Sequence, residues 1–346
     1  DFSKGNATYN NGIYQQIGVG PQAGYMESGY LTARIERGGA IIDELTFVVQ
    51  LAGDSDVVDQ SRFGDEKLYN ALLNIFGIDD GEGGKKLTER SLSGYGEIES
   101  YINKKAVENY QASNNTLDLS GLELRSIKGI QYVTSVKSLD LSNNDLGSDT
   151  NGLEYLASLT KLEQLNLSHC NIDIIPSSTF VNMYNIEGID LSHNNLTNLN
   201  FLSVNRSLYS LSDVFAHDND LIDISGLVYS NGPAVYSSIP NVKRLTLNRK
   251  ADSQNEEAVL DISPLVYADN LVVLWLANHN ITDISPLSSL KYLETLDLSG
   301  NKIYAPNATT DGLLPIAKLT NLKKLVLDNH SEVMFDYDLI PKDLIR

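Results

Sequence analysis

One cysteine in 346 residues excludes any disulfide within the chain, so the fold is not stapled like a small secreted disulfide-rich module. Positive charge is also scarce. Lys and Arg number 26 against 45 Asp and Glu, for a formal net charge of -19 at pH 7. Nucleic acid is therefore not an expected partner, because holding its phosphates needs clustered Lys and Arg. The same charge favours solubility and argues against anionic surfaces in general. No apolar run approaches about 18 residues, so no membrane-spanning helix is predicted. GxSxG, HExxH, P-loop and CxxC signatures are all missing, and no nucleophile, base and orienting group can be named together. Neither an enzyme nor a cofactor is expected. Two acidic, Gly-containing stretches, DDGEGG (79–84) and SNNDLGSDTNG (142–152), do not match an EF-hand loop.

What is present is a repeat. From residue 114 one frame recurs, with Leu, Ile or Val favoured at positions 1, 4 and 6 and Asn frequent at position 9. NNTLDLSGL starts at Asn114, VKSLDLSNN at Val136, LEQLNLSHC at Leu162, IEGIDLSHN at Ile186 and LSDVFAHDN at Leu211. VKRLTLNRK follows at Val242, LVVLWLANH at Leu271, LETLDLSGN at Leu293 and LKKLVLDNH at Leu322. Self-similarity at this period predicts a solenoid, and the frame is that of leucine-rich repeats. Positions 3 to 7 are predicted to form a short strand whose alternate residues point inward and stack on those of the next turn. The position-9 Asn is expected at a buried corner, where its amide satisfies free backbone groups; Asn144, Asn194, Asn219 and Asn301 fit. Cys170, His279 and His330 fall in the same slot and are read as corner residues.

The returns between strands share a phrase: LIDISGL (221–227), LDISPL (260–265) and ITDISPL (281–287), with SIKGI (126–130) a weaker copy. ITDISPLSSLKYLETLDLSGNKI resembles the unit of internalins and related bacterial surface leucine-rich-repeat proteins. The resemblance covers residues 65 to 346. It implies an α/β-type horseshoe with a parallel concave sheet, about nine repeats and a helical N-terminal cap. It also implies a secreted or surface protein, adhesin-like, that binds a host or neighbouring-cell protein. The repeat intervals depart from the family, since several are longer than its shortest 22-residue unit, and the ligand of any one internalin does not carry over.

The remainder divides accordingly. Residues 1–63 form an N-terminal extension, in which YLTARIE (30–36) and ELTFVVQL (44–51) alternate as a β-hairpin. Residues 64–113 form the helical cap. Leu68, Leu72, Leu73 and Phe76 there fall at helical spacing, DDGEGGKK (79–86) is a loop, and EIESYINKKAVENY (97–110) is a second amphipathic stretch. Residues 114–332 hold the repeats, and 333–346 a short C-terminal cap with Phe335, Tyr337, Leu339 and Ile340. The polar opening DFSKGNATYNNG either follows a removed leader or is simply where the sequence starts. There is no LPxTG-like motif, so a cell anchor is expected to lie outside this chain. The chain is expected to be monomeric.

Three imidazoles, His169, His193 and His217, should stand in a row about 5 Å apart on adjacent turns. They invite a zinc hypothesis, but LSHN is a common variant of the repeat phrase, and no metal is assigned. N-x-S/T sequons such as Asn195-Leu-Thr arise from the repeat phrase and do not show glycosylation.

The single tryptophan breaks the pattern. Outward position 5 reads Asp118, Asp140, Asn166, Asp190, Phe215, Thr246, Trp275, Asp297, Val326. Around Trp275 lie Val273 in its own strand, Arg244 and Asn248 in the strand before, and Phe215 and His217 two turns away. Lys243 and Arg249 add basic charge in an acidic protein. Aromatic and Arg residues are the usual anchors of binding surfaces, and exposed apolar patches mark interaction sites. A ligand site is therefore predicted on the concave face from Trp275, Phe215, Arg244, Val273, His217, Asn248, Arg249 and Lys243. The ligand is a protein, with a carbohydrate stacked on Trp275 as the alternative and a presenting module without ligand as a third reading.

Overall fold

The structure is a computed structural model. It describes residues 57–94, 98–149, 151–204, 208–251, 253, 257–303 and 312–327, together with the backbone of four strands between residues 6 and 49. The expected C-terminal cap and His330 lie outside the described residues. The chain divides into two compact units, Asp1–Val58 with Thr88–Arg90, and Asp59–Leu87 with Ser91–Arg346.

The first unit holds an antiparallel sheet in the order β1 (Asn6–Tyr9), β2 (Ile13–Gly18), β3 (Gly29–Arg37), β4 (Ala40–Val49). β3 and β4 form a hairpin pairing Leu31 with Phe47 and Ala33 with Leu45, with a register shift between Ile35 and Glu36. β1 and β2 had no counterpart in the sequence reading. Their sequences, NATY and IYQQIG, are short and polar, and strict apolar alternation misses such strands.

In the second unit, α1 (Glu66–Phe76) buries Leu68, Leu72 and Phe76. Asp65 caps it by accepting from the Lys67 amide at 2.9 Å, and its other oxygen accepts from the Arg125 amide at 3.0 Å. The segment 79–86 is more ordered than a plain loop: β5 (Ile78–Asp79) pairs with β6 (Lys85–Lys86), and the Asp80 carboxylate accepts from the Glu82 and Gly84 amides. A short α2 (Glu89–Leu92) follows, its first two residues assigned to the first unit and its last two to the second. The second amphipathic stretch opens with a 3-10 turn at Ile98–Ser100 and becomes α-helical from α3 (Lys104–Ala112), which Asn103 caps by accepting from the Ala106 amide. Phe76 and Tyr110 pack edge to face at 5.1 Å, and the Tyr110 hydroxyl meets Ser135 Oγ in the first return at 2.9 Å.

Nine parallel strands then form one sheet: β7 (Thr116–Asp118), β8 (Ser138–Asp140), β9 (Gln164–Asn166), β10 (Gly188–Asp190) and β11 (Asp213–Phe215). After a hairpin of β12 (Val228–Asn231) and β13 (Ala234–Ser237) come β14 (Arg244–Thr246), β15 (Val273–Trp275), β16 (Thr295–Asp297) and β17 (Lys324–Val326). The 230–240 insert is therefore a hairpin in the return, with Tyr229 stacked on Tyr236. Positions 4 and 6 are buried along the array, from Leu117 and Leu119 to Leu325.

The corners explain the Asn. Asn194 accepts from the Cys170 and Ile172 amides at 3.0 Å each and donates to the carbonyls of Leu167, Leu191 and Ser192. Asn144, Asn219 and Asn301 repeat this bonding. The Cys170 thiol donates to the Leu141 carbonyl, and burial pushes its pKa up to about 11, so it is a corner group and not a reactive thiolate. One residue earlier, position 8 turns left-handed: Gly121, Asn143, His169, His193, Asp218, Asn278 and Gly300 all have φ between 55° and 65°. Gly, Asn, Asp and His are the types that tolerate that conformation, which is why the phrase ends in SGL, SNN or SHN. The returns reuse a short polar turn. Asp223, Asp261 and Asp283 accept from the amides of Ser225, Ser263 and Ser285, opening the 3-10 turns of the DIS phrases.

His279 fills the corner as a neutral imidazole. Its Nε2 meets the Leu247 carbonyl at 2.6 Å, as Asn301 Nδ2 meets that of Leu276. Burial lowers its pKa from 6.5 to about 4. The unfolded chain thus binds a proton that the folded chain refuses between those values. The contribution of His279 is fully present above pH 6.5 and is lost as pH falls toward 4. We predict that melting temperature followed from pH 7 to pH 4 falls less steeply in His279→Asn, which keeps the corner bonds without a titrating group.

Candidate functional site

The position-5 carboxylates on the concave face close each strand end. Asp140 Oδ1 accepts from the Ser142 amide at 2.8 Å, Asp190 from Ser192 at 2.9 Å and Asp297 from Ser299 at 2.9 Å, and Asp118 and Asn166 do the same for Ser120 and Ser168. Three successive strands, β11, β14 and β15, abandon this pairing, carrying Phe215/His217, Thr246/Asn248 and Trp275/Ala277 at positions 5 and 7. The Ala277 amide would have lost its acceptor. Asn248 Oδ1, one strand away, supplies a replacement at 2.7 Å. With that amide satisfied, position 275 no longer needs a carboxylate and can hold a tryptophan.

Trp275 is 36% exposed. Its backbone pairs with Thr246, which pairs in turn with Phe215. Thr246 also faces the concave side yet is only 3% exposed. Its small side chain lies at the one strand between the two aromatic positions, and its hydroxyl meets His217 Nδ1 at 2.9 Å. Trp275 therefore reaches His217, two turns away, with ring centroids 5.8 Å apart and edge to face. His217 meets His193 at 5.3 Å, and His193 stacks on His169 at 4.1 Å with the rings nearly parallel. The four rings form a continuous row across the concave sheet. Burial lowers the His217 pKa, against the opposing pull of Asp218 and Asp190.

Beside this row, Arg244 grips Asp213 through both Nε and Nη2 and lies 5.8 Å from the Phe215 centroid. The Arg244 guanidinium holds the Asp213 carboxyl below its usual range. Its charge is thus matched, and it presents a flat polar platform next to an aromatic ring. Lys243 is exposed at the strand's start, and Val273 is half-buried beside Trp275. Toward β7 the concave groove turns acidic, lined by Asp118, Asp140 and Asp190, with Phe215 at its edge.

One predicted contact, Arg249, is placed differently. Arg249 is not on the surface: it is 2% exposed, and its guanidinium donates to the carbonyls of Leu221 and Ala258. It stands at position 8 but bridges Asn219, a position-9 corner residue, so it takes over the corner that Asn fills elsewhere. Asn248 is half-buried on the concave face, with its amide engaged by Ala277 and Asp297. Sequence reasoning missed Thr246, Asp213 and Asp218. Strand register would have found the first two, since Asp213 pairs directly with Arg244.

The strands, corners and returns make this chain a leucine-rich-repeat solenoid. Comparisons agree. A leucine-rich-repeat family model matches residues 160–212, and one described as two copies of leucine-rich repeats matches 269–306. The chain is similar to Tsukushi of Gallus gallus, 32% identical over 199 residues, 47% of this chain and 54% of that protein. It is similar to Toll-like receptor 7 of Mus musculus, 27% identical over 64% of this chain and 19% of that protein. It thus spans about half the length of the first of these relatives and about a fifth of the second. Among solved structures, internalin F of Listeria monocytogenes superposes with a TM-score of 0.57 at 22% identity, covering 81% of this chain and 66% of that one. Internalin C2 of the same organism gives 0.56 at 23%, covering 80% and 100%. These likenesses establish the fold. These sequence relatives are eukaryotic, and the family models that match indicate leucine-rich repeats and no catalytic family. Among the described residues no helix is long and apolar enough to cross a membrane.

Proposed function

We propose that this chain is a non-enzymatic binding protein whose concave face, centred on Trp275, holds a protein ligand. The single observation that carries this is the loss of the Asp–Ser turn in three consecutive strands, where Phe215, His217 and the partly exposed Trp275 stand instead, with Asn248 supplying the acceptor that the Ala277 amide would otherwise lack. A polar repeat that gives up its own turn chemistry for a partly exposed tryptophan has put a binding anchor on a rigid sheet. Trp275, Phe215, His217, Val273, Arg244 and Lys243 form the contact surface. The likeness to internalins supports a secreted or surface-exposed bacterial protein of adhesin type, its partner a protein of a host or neighbouring cell.

Trp275→Ala is expected to abolish ligand binding while costing only about 1–2 kcal/mol of stability, as befits a partly exposed side chain. Binding followed by the change in Trp275 emission, repeated at increasing salt, identifies the ligand class. A protein ligand approaching Lys243 weakens with ionic strength, whereas a neutral glycan stacked on the indole does not. If Trp275→Ala unfolds like a core truncation, with a loss of about 3–5 kcal/mol, the side chain is structural and the reading fails.

A further inference from the structure

We propose that His193, His217 and Asp218 form a binding site for a divalent transition-metal ion of the zinc type. Their ligating atoms all lie within 4.8 Å of one another. Zinc holds nitrogen and oxygen ligands at about 2.0–2.2 Å, which places neighbouring ligand atoms about 3.4 Å apart, a closure within reach of side-chain rotation. His193 Nε2 already faces Asp218 Oδ2 at 3.5 Å.

The third ligand is pre-oriented. His217 Nδ1 meets the hydroxyl of buried Thr246 at 2.9 Å, and a proton placed there leaves the Nε2 lone pair free. A metal-binding imidazole is regularly fixed in this manner by a partner on its other nitrogen. The His193 ring is fixed too, stacked on His169. The backbone beneath is rigid: the His193 amide donates to the His217 carbonyl at 3.0 Å, and His193 and Asp218 both sit in the left-handed corner at φ 55°.

Corner geometry alone does not account for the set. Asn serves the left-handed position equally well at 143 and 278. His217 stands at position 7, where Ser120, Ser142, Ser168, Ser192 and Ser299 occupy other repeats. An ordinary His–Asp ion pair would explain His193 and Asp218 and leave His217 without a reason. Two imidazoles and a carboxylate suit zinc, and with His193 and Asp218 about two-fifths exposed, a fourth coordination position is open to solvent or to a donor group on a partner. The net charge of -19 raises the local concentration of cations. The site shares His217 with the contact surface proposed above, but its test uses the metal alone and no protein ligand, so the two proposals fail separately.

The test uses the untagged full chain, stripped with chelator. Zn2+ is titrated by calorimetry, and Ni2+ is titrated while Trp275 emission is followed. Trp275 is the sole tryptophan, and its ring lies 5.8 Å from that of His217. The expected result is one ion per chain and a saturable quench by Ni2+ that EDTA reverses and Zn2+ competes away. His193→Asn and Asp218→Asn should each weaken binding by more than about tenfold. Both variants carry the residue that other repeats use at this corner, so their melting temperatures in EDTA should match the parent. The proposal is overturned if no saturable event occurs, or if its midpoint is unchanged in both variants.

Discussion

Asn194→Ala should lower the unfolding free energy by at least about 3 kcal/mol, read from urea denaturation. The amide makes five bonds to buried backbone groups, two as acceptor and three as donor. Each orphaned buried group costs about 1–3 kcal/mol, and alanine satisfies none of them. Because each turn of a solenoid is stabilised by its neighbours, the damage should spread to the repeats on either side, visible as faster amide exchange at Leu167 and Ala216. A loss below about 1 kcal/mol would mean that water replaces the amide and that the corner is not dry.

Arg249→Ala should cost a comparable amount, about 3–5 kcal/mol. The guanidinium is buried and donates to the Leu221 and Ala258 carbonyls, so truncation leaves both unsatisfied and opens space beneath the array. Burial lowers its pKa, and the Asp220 carboxylate works against that shift. Arg249→Lys should recover little, because a single ammonium cannot reproduce the guanidinium's forked contacts. Ligand binding by Arg249→Ala molecules that remain folded should be unchanged. If stability is intact and binding is lost instead, Arg249 belongs to the surface after all.

The contrast between Arg249 and Trp275 shows what the sequence makes legible. Strand positions, the inward leucines and the corner Asn followed from period alone, because a short strand with its central side chain buried, followed two residues on by a second buried side chain, leaves little freedom. The outward set was also readable, since alternation assigns it. Depth was not. Arg249 sits one residue from the usual corner, and only the Asn219 bridge reveals that it has become the corner. Thr246 and Trp275 share position 5, yet one is covered and the other open, because side-chain size on adjacent strands decides which ring lies over which. Asn248 also supports the face, a role carried by one hydrogen bond across strands, to the Ala277 amide, that the sequence does not display. Asp218 escaped notice because a residue in the left-handed corner reads as a turn former. Its closeness to two imidazoles depends on stacking of turns separated by more than twenty residues.

The exposure of Trp275 is the point on which the binding face stands, and it can be measured on the native protein without a mutant. Tryptophan-selective emission is recorded with increasing acrylamide. Ready quenching in the folded state, with emission shifted toward that of a solvated indole, is the predicted result for a ring 36% exposed on the concave sheet. Blue-shifted emission that resists quenching until the protein is unfolded would put the ring inside a core and contradict the account.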